Sequence, residues 1–412
     1  MRALPMAAAA AALATSLFAQ ADKLPKWKID PYTKNDPQAM AKAGYVSFGP
    51  FNFGTIAEKT VATTDIDAFL EFVPILWIET KHFRIGTNLP KWDVPLDPET
   101  RNKIRTELTE LQAKLPDINP KTRSLDPWLR AHLTAHRMEK LYTETQTLWG
   151  VKDEDFPQDP TKVFAMPGVR YMGYGPYMGM RDKFLVLVFE KQGPFQQYMK
   201  KYLGRDSKHP QRWHFKEASN MLFTMSTENE EFPRKHDTAL HCSLAFNVSQ
   251  NLMDGFRYYN YDLPVWIRES YGHWNDRRVS PLWANFDQNE GALADIKTLT
   301  KWEVYCRQLV SAGNPEFAPF TEAFGWRDFG KIKFNDHVTL WSRMDWLMSQ
   351  GPEKWQKFLF AIKGRVDPKT WAHDQSDIVG ACRTALQDAY GLSVLEFDKK
   401  WIEWVKATYP SQ

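Results

Sequence analysis

Hydrophobic and polar positions fall into two regimes along this chain. Up to about residue 232, short apolar runs alternate with turn-forming residues; from about 234 onward, apolar residues recur at helical spacing. Residues 45–53 (YVSFGPFNF) alternate aromatic and small side chains around Gly49-Pro50, which predicts strand and turn. Residues 75–85 (ILWIETKHFRI) read as one strand, broken by the TNLP of 87–90. The run FLVLVF at 184–189 has no polar alternation, the pattern of a strand buried on both faces. Asp97-Pro98-Glu99 opens a helix expected to reach about Leu115, and Asp126 with Pro127 opens another ending near Trp149-Gly150. Further helices are predicted at 236–253, 264–277, 292–312, 336–349, 352–363, 377–390 and 393–407. Residues 22–40 are Lys-, Asp- and Pro-rich and read as irregular, and 166–180 read as a Gly/Tyr/Met-rich loop. The fold class is therefore α+β: a mixed α/β region over 22–232, then a largely helical region over 233–412.

Composition changes that picture in two places. The 53 basic and 50 acidic residues leave a net charge of +3, too balanced for a nucleic-acid binder by charge, so no nucleic-acid partner is expected. The aromatic load is high: 17 Trp, 15 Tyr and 26 Phe imply either thick cores or aromatic-lined binding surfaces. Residues 1–21 stand apart as a signal peptide. Arg2 supplies the positive start, Ala3 to Ala14 the apolar stretch, and Ala19-Gln20-Ala21 the cleavage site. The stretch is too short to span a bilayer, so no integral membrane segment is expected after its removal, and the location implied is secreted or periplasmic. In that setting Cys242, Cys306 and Cys382 allow at most one disulfide; a Cys306–Cys382 bridge and three buried thiols both remain open.

Two histidine pairs draw attention. His132 and His136 sit about 40° apart on a helix with Glu139 on the same side, a spacing that a metal can bridge. Against that, Ala131, Ala135, Met138, Leu141, Tyr142 and Leu148 form the apolar face, leaving the two imidazoles with Lys140 on a solvated one. Leu133 also stands where a metalloprotease helix carries its Glu. His236 and His241 diverge by about 140° and cannot share an ion from one helix. His241 points into the stripe of Leu240, Leu244, Ala245, Val248 and Leu252, where a core histidine is the simpler reading.

The following residues carry a family resemblance. Residues 263–274 (LPVWIRESYGHW) start a helix with a proline in its first turn and place Glu269 one turn in. This resembles the glutamate helix of the gluzincin (thermolysin-like) metallopeptidases, in which a helix bearing HExxH precedes a segment that supplies the third zinc ligand. His241-Cys242-Ser243-Leu244-Ala245 matches HExxH at its first residue only. The strand at 79–85, the helix at 127–149, the strand at 184–189 and a C-terminal helix carrying Trp401 and Trp404 follow the family's order. The resemblance implies a gluzincin-like fold with His241 and Glu269 on adjacent helices facing one cleft. It also implies that Cys242 occupies the position of the catalytic Glu and Ala245 that of the second zinc-binding His. No catalytic residue is then assigned. A rebuilt metal site would use His241, Glu269 and His273, the last one turn beyond Glu269.

The function implied is an exported pseudo-peptidase that binds a peptide, polysaccharide or protein partner in its cleft. No cofactor is expected, zinc excepted if the site is rebuilt. The alternatives are an active zinc hydrolase with that rebuilt site, and a carbohydrate binder using the aromatic load and the loop at 171–180 (YMGYGPYMGM). In a protein without metal, Glu269 would pair with Arg268, Arg277 or Arg278.

Overall fold

A computed structural model describes residues 24–56, 59–159, 170–228, 234–261, 263–286, 300–367, 369–370 and 372–412. Residues 1–21, expected from the sequence to be a signal peptide, lie outside them. The fold is α+β, built on a five-stranded sheet in the first half and a helical assembly in the second.

The sheet runs in the order β3 (Leu76–Glu79), β4 (Phe83–Thr87), β7 (Phe184–Phe189), β9 (Asn220–Ser226), β8 (Gln211–Phe215). The central strands β4, β7 and β9 are parallel, with Val186 between Ile85 and Phe223, and both edges are antiparallel. The single strand expected over 75–85 is a tight hairpin. Thr80 closes it, exchanging backbone and side-chain hydrogen bonds with Phe83. β7 is buried along its whole length because both faces are covered. Phe184, Val186 and Val188 join the large core shared with the helical half. Leu185, Leu187 and Phe189 pack with Phe195, Tyr198 and Met199 of α5 (Gln192–Leu203). Smaller pairings join β1 (Asn52–Ile56) with β2 (Lys59–Ala62), and β5 (Trp92–Asp93) with β6 (Ser124–Leu125). Two short helices, α1 (Pro37–Ala43) and α2 (Thr63–Phe69), lie in the same region.

The longer helices begin where the chain provides caps. Asp97 accepts from Thr100 at the start of α3 (Pro98–Gln112), and Asp126 accepts from Leu129 at the start of α4 (Pro127–Trp149). Gly150, at φ 66°, ends α4 in the left-handed conformation. The helical half comprises α6 (Asp237–Gly255), α7 (Val265–Val279), α8 (Trp302–Ser311), α9 (Phe320–Ala323), α10 (Phe334–Ser349), α11 (Pro352–Ile362), α12 (Ile378–Tyr390) and α13 (Val394–Thr408). One apolar cluster runs from Ala43 to Tyr409, so the α/β and helical regions share a core.

The expectation for the His132 face changes here, and two readings left open by the sequence are decided. The face of α4 carrying His132 is not solvated: the N-terminal segment covers it, and His132 bonds Asp30 (3.0 Å) and the Tyr45 hydroxyl (2.8 Å). His136 instead meets Glu110 at 2.8 Å, so the two imidazoles have separate partners. The three cysteines are free and buried, with no Cys306–Cys382 bridge. The loop at 171–180 is no exposed platform: Tyr171, Met178 and Met180 are buried. Aromatic residues mostly serve the core, where Trp149, Trp266, Trp302, Trp355 and Trp401 are fully enclosed.

Candidate metal centre and cleft

α7 begins after Pro264 and runs between α6 and α10, with which it makes its main contacts. Enclosure on several sides explains why this polar helix is buried almost throughout, Arg268, Glu269, Ser270, His273, Asn275, Asp276 and Arg277 included. Gly272 permits the close approach of α6. A Cβ there would lie 2.8 Å from both the Phe246 ring and the Gln250 amide.

On the α10 side of α7, three ligand-type atoms converge. Glu269 Oε1 lies 3.0 Å from His273 Nε2 and 3.2 Å from His337 Nδ1, and the two imidazole nitrogens are 3.0 Å apart. Glu269 and His273 are neighbours because four residues make about one turn. His337 comes from the first turn of α10. That turn is fixed by Asp336, whose carboxylate accepts from the Lys333 and Ala318 backbone N–H groups. All three side chains are fully buried, and the rings of Phe246, Phe286 and Trp302 lie 5.1–5.3 Å from His273.

These residues fit a metal. Tetrahedral coordination with bonds of ~2.0–2.1 Å separates neighbouring ligand atoms by about 3.3 Å, close to the triangle observed. The Glu269 carboxylate is fully buried, with no cationic side chain among the described residues at ion-pair distance apart from the two rings. A buried carboxylate left in that state is costly unless something else neutralises it. Protonation also suits ligation. Burial raises the Glu269 carboxyl, but hydrogen bonding and charge from His273 and His337 outweigh it and hold it at about 2. Burial drives His273 down to about 4, against the pull of Glu269, so its imidazole is neutral near pH 7. Two imidazoles and one carboxylate suit zinc or a related divalent first-row ion, and three ligands leave a coordination position for a Lewis-acid role.

His241 does not join this set. It lies in a cleft of about 390 Å³ between α3, α4, α6 and α7, which Ala245 and Asn275 also line. It is the one residue of α6 not fully buried, because that helix is packed all round and its apolar stripe does not mark a buried side. Lys103 Nζ lies 2.8 Å from His241 Nδ1, and Glu107 Oε1 is at 3.3 Å. Arg137 bridges Glu107 (2.7 Å) and Asp237 (2.5 Å), tying α3, α4 and α6 together beneath the cleft. Burial, with the charges of Arg137 and Lys103, pushes His241 down to about 3. The same burial lowers Lys103.

Helix geometry separates cleft from ligand set. Asn275 is two positions beyond His273, about 200° around α7. Thus α6 and α7 are adjacent, yet His241 and Ala245 face the cleft while Glu269 and His273 face α10. Cys242 is buried, its thiol 3.8 Å from the Ser280 carbonyl and pushed up by that burial. Nor does Glu269 pair with an arginine. Arg277 stacks on Trp302 and Trp341, Arg278 on Trp274, and Arg268 lies 3.9 Å from Asp254. His337 is not among the ligands expected from the sequence. Its only local signal is a histidine on a predicted helix, 64 residues from His273. No family model, curated protein or solved structure matches the chain.

Proposed function

We propose that this is an exported metal-binding protein whose ion, held by Glu269, His273 and His337, joins α7 to α10, and that its activity is recognition rather than hydrolysis. The convergence of those three buried ligand atoms within 3.2 Å carries the reading. Recognition would occur in the cleft lined by His241, Ala245 and Asn275, where paired charges of both signs suit a peptide or another polar chain. Two observations weigh against hydrolysis there. The ligand set lies on the far side of α7 from the cleft, and Cys242, in the frame of a catalytic base, is a buried thiol that stays protonated. The gluzincin resemblance is retained as ancestry, and export rests on residues 1–21, so sequencing of secreted protein should begin at Asp22.

The deciding experiment is elemental analysis of protein purified without chelator. Zinc, or another first-row metal, near one per chain is expected, and a metal-free chain with full stability overturns the reading. A second reading, an active zinc hydrolase, is favoured by one feature: two His and one carboxylate leave a position open for water. Chelator-sensitive peptide cleavage that Glu269→Gln abolishes would establish it.

A further inference from the structure

A second concavity, of about 470 Å³, opens at the C-terminal end of α4 and is lined by Trp149, Arg170, Arg257, Gln356, Lys357 and Phe360. Its centre of interest is Arg257, just past α6 and 5% exposed. The loop at 171–180 is shaped around this residue. The Arg257 backbone, at φ 62°, donates to the Met178 carbonyl at 2.7 Å. A Cβ on Gly173, Gly179 or Gly364 would come within 2.7–2.8 Å of Arg257 atoms. Only glycine allows that approach, which accounts for the Gly-rich sequence the cleft does not use.

The Arg257 guanidinium donates from Nε to the Tyr171 carbonyl (2.8 Å) and from Nη1 to those of Phe360 (2.9 Å) and Lys363 (2.6 Å). Nη2 has no hydrogen-bond partner among the described residues. Phe360 orders a second guanidinium as well: the Arg170 and Arg257 Cζ atoms lie 4.7 and 4.9 Å from its ring centroid. Among the described residues, neither arginine has a carboxylate at ion-pair distance. Burial and the neighbouring Arg170 lower Arg257 to about 10. Behind it, burial brings the fully enclosed Lys363 down to about 7 against the pull of Asp254, with Arg257 and Arg268 adding to the fall. The pocket wall carries Arg170, Arg257 and Lys357 against one carboxylate, Glu353.

We propose that this pocket binds a small oxyanion, a carboxylate, phosphate or sulfate group, between Arg170 and Arg257, with Lys357 alongside. A planar guanidinium presents paired N–H donors to such a group, and Nη2 of Arg257 is held ready by its other bonds. The site is independent of the metal-binding reading, since it shares no residue with Glu269, His273 or His337.

The test is thermal denaturation and calorimetric titration of the full mature protein with sodium phosphate, sulfate and acetate. Sodium chloride at matched ionic strength serves as the reference. A saturable rise in Tm above chloride is expected. Phosphate or sulfate exceeding acetate assigns a tetrahedral anion; acetate matching them assigns a carboxylate. Arg170→Gln, at an exposed side chain, should weaken binding about tenfold or more, and Glu353→Gln should tighten it by removing the competing charge. No saturable effect beyond chloride, or unchanged affinity in Arg170→Gln, overturns the proposal.

Discussion

A carboxylate and an imidazole four residues apart on one helix are a common pair, and what distinguishes Glu269 and His273 is the third group brought to them. His337 turns the pair into a triangle with sides of 3.0–3.2 Å, enclosed by aromatic rings. His337→Ala should therefore reduce bound metal sharply, by more than the roughly 10–100-fold typical of losing an outer-shell partner. His241→Ala should leave metal content unchanged, because His241 answers to Lys103 and Glu107 on the cleft side. Elemental analysis of both variants checks this. Metal lost from His241→Ala but kept in His337→Ala would restore the ligand set expected from the sequence.

At the scale of elements, α7 depends on how closely its neighbours approach. Gly272→Ala puts a methyl group 2.8 Å from Phe246 and Gln250 of α6, both in a packed interior. Overpacking of this kind costs about 1–3 kcal/mol, measured as a lower midpoint in denaturant with an unchanged slope. A smaller loss is expected from Asp126→Ala, about 0.5–2 kcal/mol, because it removes the carboxylate that accepts from Leu129 at the start of α4. That helix holds Arg137 beneath the cleft, so cleft ligands should also bind more weakly to Asp126→Ala. Unaltered stability in Gly272→Ala would mean that α6 and α7 can separate without cost.

For the whole molecule, acid and chelation should act in the same direction. His241, at about 3, lies below the ordinary 6.5, so the unfolded chain binds more protons between those values. Its contribution is complete above pH 6.5 and is lost as pH falls toward 3, while protons also compete with the metal for its imidazole ligands. Calorimetric Tm should decline across that window, and a flat profile would contradict the burial of neutral imidazoles. Chelation should lower Tm at constant pH, since a ligand at 100 times its Kd stabilises the folded state by about 2.7 kcal/mol. The shared core predicts that both halves then melt in one transition.

What the sequence determined is local or periodic. Asp126-Pro127 and Gly150 mark the ends of α4 because caps and left-handed turns depend on a few adjacent residues. FLVLVF specified a central strand because no polar residue interrupts it, and the helices at 236–253, 264–277, 336–349, 352–363, 377–390 and 393–407 lie within two residues of those observed. Glu269 and His273 were legible as a pair for the same reason. Periodicity fails where burial comes from every side. α6 has no exposed stripe to orient His241, and α4 is covered over His132 by a segment some hundred residues earlier. Sequence spacing places His241 near Glu269 only by supposing which faces of two helices meet. Their packing sends His241 to the cleft and Glu269 to α10. His337 joins the set through contacts between helices 64 residues apart, and no local pattern encodes that distance. Tertiary structure alone decided which three of these side chains share a site.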